Sequence, residues 1–167
     1  MKRDTASSMQ LSDKWTLWAH LPHDTDWSLK SYKNIMTFSE KPEAASLFKY
    51  IPEKMVQNCM LFLMRENINP IWEDAKNRNG GCFSYKVANK NVYSVWKKTC
   101  FLLISGCISN KKDVVGDING ITISPKKTFC ILKIWLANCT HQNPKQMSPI
   151  NGLNVHGCIF KKHRPQF

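Results

Sequence analysis

The chain has 167 residues, of which 43% are hydrophobic and 22% charged, a composition that excludes an intrinsically disordered polymer and suits one domain with a real core. Its longest apolar runs, Cys59 to Met64 and Cys100 to Ile104, are too short to span a bilayer, and the opening Met-Lys-Arg-Asp-Thr-Ala-Ser-Ser lacks the apolar core of a secretory signal. A soluble, cytoplasmic protein without membrane contact is therefore expected, with nuclear presence allowed. The net charge of +12 is unevenly placed: residues 1–83 hold 11 Lys/Arg against 10 Asp/Glu, residues 84–167 hold 13 against only Asp113 and Asp117. That asymmetry points to an anionic partner, nucleic acid or a nucleotide phosphate chain, touching elements of the second half.

Residues 1–10 are polar and patternless and read as a tail; residues 11–167 form the domain. From Leu11, the run Lys14-Trp-Thr-Leu-Trp-Ala19 reads as a first strand, with Trp15 and Trp18 in the core. Leu21 to Ser28 is a loop by its Pro and Asp content, and Trp27 inside it has no local reason to be there unless something covers its face. Ser31 to Phe38 alternates as a strand. A helix follows, with Ser39 as cap, Pro42 and Glu43 in its first turn and Pro52 as its stop.

Cys59 to Arg65 and Cys82 to Val87 read as strands. Asn91 to Ser105 repeats apolar residues at three and four, the longest helix, closed by Gly106. Asn110 to Asp113 reads as a basic loop, Ile118–Ser124 and Phe129–Leu136 as a hairpin around Pro125-Lys126-Lys127-Thr128, and Asn154–Lys161 as a last strand. Strands dominate and no β-α-β alternation is visible, so the class is α+β with a largely antiparallel sheet.

The segment Asn69-Pro-Ile-Trp-Glu-Asp-Ala-Lys-Asn-Arg-Asn-Gly-Gly81 fits neither helical nor strand periodicity. It is a loop that holds an aromatic ring beside an acid. Such a pair suits a flat, electron-poor ligand edged with donors: the ring stacks on Trp72 while Glu73 accepts from two adjacent N–H groups, and a 7-methylguanine base has both properties. A surface turn whose Trp72 plugs the core fits the loop equally well. The seven cysteines are an odd set without Cys-x-x-Cys, and the five histidines are scattered, so neither a disulfide framework nor a metal site is expected.

These residues resemble the eukaryotic translation initiation factor 4E family, the messenger-RNA cap-binding proteins, from about Leu11 to Trp135. The likeness rests on Lys14-Trp-x-Leu-Trp18, the loop Trp27, Phe38 before a short helix, Pro70-x-Trp-Glu-Asp-x-Lys-Asn77 ending in Gly80-Gly81, Trp96, Gly120 and Trp135. The resemblance implies a single domain, a curved antiparallel sheet like a cupped hand with helices on its convex back. It implies that Trp27 and Trp72 sandwich the methylated guanine, that Glu73 accepts from N1–H and the N2 amino group, and that Trp135 lies near the methyl group. The phosphates would meet Lys126, Lys127 and Lys133, and Lys161 and Lys162 could touch the RNA beyond. No cofactor and no catalysis are implied.

The departures lie mostly on the back. There the family holds a partner helix against a tryptophan and acidic residues, whereas this chain has Ala45 at the tryptophan position, Lys41 nearby and Lys97-Lys98 on the long helix. A missing aromatic anchor and lysines in place of acids weaken that usual scaffold contact. The expected partner is thus capped messenger RNA, with a scaffold protein held less firmly or differently. Two other readings remain: a single-strand RNA binder without cap preference, and a cap-binding competitor that represses translation.

Overall fold

The computed structural model describes residues 9–167, so most of the expected tail lies outside the described residues. Alternation of apolar residues along the strands builds the architecture. The strands are β1 (Gln10–His20), β2 (Tyr32–Glu40), β3 (Met60–Arg65), β4 (Gly81–Ala88), β5 (Ile118–Pro125), β6 (Phe129–Leu136) and β7 (Ile159–Lys162). They form one curved antiparallel sheet in the order β2-β1-β3-β5-β6-β4-β7, an α+β fold as expected. Because successive side chains point to opposite faces, each strand feeds two clusters.

Trp15, Leu17 and Ala19 of β1, Leu61 and Leu63 of β3, Phe83, Tyr85 and Val87 of β4 and Ile121 and Ile123 of β5 face the helices and form the main core. Phe62, Met64, Cys82 and Trp135 point the other way and form a smaller cluster, against which Trp18, Tyr32, Met60 and Trp72 pack. Trp18 thus belongs to the open face of the sheet, opposite Trp15.

The main core is closed by α3 (Val92–Ile104), which buries Val92, Val95, Trp96, Thr99, Cys100, Leu103 and Ile104 along one side. Burying the Val, Leu and Ile side chains among them contributes roughly 1.5–3 kcal/mol each, while the Thr99 hydroxyl is satisfied by donating to the Val95 carbonyl at 2.7 Å. α1 (Lys41–Tyr50) starts one residue later than the sequence indicates: Glu40, not Ser39, is the N-cap. It forms a reciprocal box with Glu43, whose Oε2 accepts from the backbone N–H groups of Ser39 and Glu40, both at 3.1 Å.

Pro52 ends α1 but also caps α2 (Glu53–Asn58), a six-residue helix too short to leave a period. The expected basic loop at 110–113 is in part α4 (Lys112–Asp117), held down by buried Val114. The last strand begins at Ile159, not Asn154, because the Asn154 side chain accepts from the His156 N–H and closes a 3-10 turn.

Gly80, read as a turn residue, is required by packing. A Cβ there would lie 1.8 Å from the Leu136 carbonyl oxygen, and one at Gly120 would lie 2.4 Å from that of Leu63. All seven cysteines are free thiols. No helix among the described residues is long and apolar enough to cross a membrane.

Candidate functional site

Two loops rise at the open face of the sheet, and each is built by its own carboxylates and amides. In the loop before β4, Asp74 accepts from the N–H of Asn69 and of Lys76, both at 2.9 Å. Asn77 is fully buried; its Nδ2 donates to the Asn69 and Ile71 carbonyls, and its Oδ1 accepts from Nδ2 of Asn119 on β5, all at 2.9 Å. The Asn77 carbonyl accepts from Gly80 N–H at 2.9 Å and meets His163 Nδ1 at 2.7 Å. Of the Trp-Glu-Asp-x-x-Asn string, Asp74 and Asn77 therefore shape the loop, and Trp72 and Glu73 are what it displays.

The loop between β1 and β2 follows the same logic. Asp24 accepts from Asp26 N–H at 2.9 Å and Asp26 from Ser28 N–H at 2.8 Å, two local turns that compete with helix or strand. The Ser28 bonds hold the Asp26 carboxyl below the usual carboxylate range. Trp27, between them, is 55% exposed, and its ring stacks on His20 with centroids 4.1 Å apart and planes within 2°.

Between the loops lies a cleft of about 600 Å³ lined by Trp27, Trp72, Glu73, Lys133 and Trp135, with Tyr32, Met60 and Phe62 of the second cluster on its floor. Strand alternation places Lys133 and Trp135 on one face of β6, and Lys133 faces Thr122 across the β5–β6 ladder. Its Nζ sits 5.9 Å from the centre of the Trp72 ring. Tyr32 is pushed up to about 12, first by burial and then by the negative charge of Glu73, so its hydroxyl keeps its proton at neutral pH. Glu73 Oε1 already accepts a hydrogen bond, from Gln166 N–H at 3.2 Å, and Phe167 lines the cleft beside it. Three indole rings, a carboxylate acceptor, an ammonium and an apolar floor thus meet in one cleft.

A family model described as eukaryotic initiation factor 4E matches residues 10–154, most of the chain. The chain belongs to the eukaryotic initiation factor 4E family. It is 28% identical over 142 residues to eukaryotic translation initiation factor 4E-2 of Schizosaccharomyces pombe, a match covering 80% of this chain and 56% of that protein. A homolog from Acanthamoeba polyphaga mimivirus is 39% identical over 62 residues, 37% of this chain and 23% of the relative. The chain thus spans little more than half of the first relative's length and a quarter or less of the second's.

Among solved structures, the fold is similar to a Schistosome eIF4E complexed with m7GpppG and 4E-BP, with a TM-score of 0.71 and 22% identity over 80% of this chain and 74% of that one. It is also similar to C. elegans eIF4E-3 in complex with the binding protein Mextli and a cap analog, with a TM-score of 0.70 and 20% identity over 79% and 76%.

The residues that the initiation factor 4E resemblance singles out do not all meet. Trp27, Trp72, Glu73, Lys133 and Trp135 line the cleft; Lys126 and Lys127 are exposed at the β5–β6 turn, and Lys161 and Lys162 lie on edge strand β7, all four outside its lining. Cys82, next to Gly81 at the start of β4, is a buried thiol pushed up by burial and supplies no charge. Tyr32, Phe62, His20 and His163 were not legible as site residues, because strand pairing and β7, not sequence distance, bring them together. On the back, Ala45, Lys41 and Lys98 are exposed, and Lys97 rests over the Tyr93 ring at 4.8 Å. Phe48, the aromatic nearest in sequence to Ala45, is buried edge-on against Phe38.

Proposed function

We propose that this protein binds the 7-methylguanosine 5′ cap of messenger RNA in the cleft, with the base between Trp27 and Trp72, and acts in translation initiation or its control. The observation that carries this reading is the convergence of two tryptophans, Glu73 and Lys133 on one cleft from three separate segments of a chain that belongs to the initiation factor 4E family. Solved structures with the same fold are described as complexes with m7GpppG and with a cap analog.

In this reading each stacking ring contributes about 1–3 kcal/mol, and the cationic base adds about 2 kcal/mol once desolvated. Glu73 accepts from the N1–H and N2 donors of the base, displacing or sharing the Gln166 N–H that now holds Oε1. Trp135 closes the wall beside the methyl group. Lys133 meets the phosphates, and Lys126 and Lys127 extend the positive charge toward the cleft mouth. Lys161 and Lys162 on β7 are placed to touch RNA further along. The site binds without catalysing a reaction, in the cytoplasm.

The back face supports a second role for the same cleft. With Ala45 exposed, Phe48 buried and Lys97-Lys98 on α3, the usual helix-binding surface is altered, which favours a protein that occupies caps with a different scaffold or none. The 4E-BP and Mextli complexes describe that contact in relatives only.

Substituting the three contact residues one at a time tests the cleft. Trp27→Ala, Trp72→Ala and Glu73→Ala should each weaken binding of 7-methylguanosine triphosphate at least about tenfold, while unfolding free energy stays within about 1 kcal/mol for Trp27 and Glu73, which sit on loops. Unchanged affinity in all three would move the ligand elsewhere.

A further inference from the structure

The two tryptophans that flank the cleft share a feature the family motif does not contain: each rests on a buried histidine. His20, at the end of β1, is 2% exposed, stacks on Trp27 with planes within 2°, and its Nε2–H donates to the Asp26 carbonyl at 2.8 Å in the same loop. His163, just after β7, is 7% exposed and stacks on Trp72 with centroids 5.7 Å apart and planes within 15°. Its Nδ1 faces the carbonyl of Asn77, which can only accept, so Nδ1 carries the proton and ties the imidazole to the hub of the Trp72 loop. Neither histidine lines the cleft.

The two ends are joined beneath the cleft by ring contacts. His20 meets Tyr32 edge-on at 5.1 Å, Tyr32 meets Phe62 at 5.2 Å, Phe62 meets Trp135 at 6.3 Å, and Trp135 meets His163 at 5.0 Å. A continuous aromatic floor thus runs from one tryptophan to the other.

We propose that His20 and His163 are positioning residues, each backing the face of one tryptophan that is turned away from the cleft and fixing that indole as a plate before the ligand arrives. The inference rests on the cap reading of the cleft. An indole as exposed as Trp27 loses rotamer freedom when a ligand stacks on it, and that ordering cost reduces affinity. A flat imidazole held from behind by its own hydrogen bond takes the cost at folding instead, and it does so with little bulk. Aliphatic side chains of similar volume fill the same space but give no planar support, whereas phenylalanine does.

The test compares His20→Leu with His20→Phe, and His163→Leu with His163→Phe, by calorimetric titration with 7-methylguanosine triphosphate and with GTP, after circular dichroism has established folding. Isoleucine replaces leucine where the leucine variant does not fold. The aliphatic variants should lose about tenfold in affinity for the methylated nucleotide, and the phenylalanine variants should stay within about threefold of the native protein. Equal affinities of the aliphatic and phenylalanine variants, both native-like or both weak, would overturn the positioning role. If the native protein prefers the methylated nucleotide while no histidine variant changes that, only this inference fails. If the native protein itself shows no preference, the cap reading fails and takes this inference with it.

Discussion

Asn77 donates to two carbonyls of its own loop, accepts from Asn119 across the sheet and presents its carbonyl to His163, all without exposure to solvent. Asn77→Ala removes one hydrogen bond each from the Asn69 and Ile71 carbonyls and the Asn119 amide at a buried site, at about 1 kcal/mol each, although these groups keep the Ile71, Asp74 and Lys76 backbone as partners. Unfolding free energy should fall by about 3 kcal/mol or more in urea, with cap affinity lost as the Trp72 loop loosens; a change under about 1 kcal/mol would mean water replaces the asparagine.

His163 gives a second signature. Burial, reinforced by Lys133, holds its pKa below the ordinary 6.5, against the opposing pull of the Asn77 carbonyl. The unfolded chain therefore takes up the proton first, so the contribution is intact above pH 6.5 and is lost as pH falls from there toward the folded pKa. The native protein should lose more stability between about pH 7.5 and about pH 5 than His163→Phe does; parallel pH profiles would contradict it. At this scale the sequence placed Trp72 beside Glu73 on one loop, and both line the cleft. The tasks of Asn77, His20 and His163 depend on partners that only strand pairing brings near.

Among the elements, β1, β2 and the β5–β6 hairpin were legible because a period of two survives a single sequence, and α3 because its apolar stripe runs for thirteen residues. α2 and α4, six residues each, were not, since neither completes two turns. Strand alternation also decides the electrostatics. It turns Lys133 into the cleft beside Trp135, whereas Lys126 and Lys127 stand exposed at the β5–β6 turn. Lys133→Ala should therefore flatten the salt dependence of 7-methylguanosine triphosphate binding by about one counterion and leave the bare nucleoside nearly unaffected, with Lys126→Ala and Lys127→Ala each doing less. Titrations at several salt concentrations check this ranking; a larger slope change at the turn would place the phosphates there.

For the whole molecule, one sheet serves two faces with different chemistry. The helix-covered face takes the main core and the smaller aromatic cluster floors the cleft, so the cleft can be altered with limited cost to folding and the back can diverge without disturbing the cleft. The charge excess of the second half was visible in composition alone, but its direction was not: only Lys133 of the candidate phosphate ligands lines the cleft. On the proposed reading, the exposed Ala45 and Lys98 of the back bear on a protein partner and not on the cleft.

The central claim is that two tryptophans and Glu73 select a cationic, donor-edged base. Titrating tryptophan fluorescence with 7-methylguanosine triphosphate and with GTP tests it most directly, because the two ligands differ by one methyl group and the positive charge it confers. A cation–π difference of about 2 kcal/mol predicts strong quenching by the methylated nucleotide at concentrations at least about tenfold below those GTP requires. Equal affinity for the two would contradict the account.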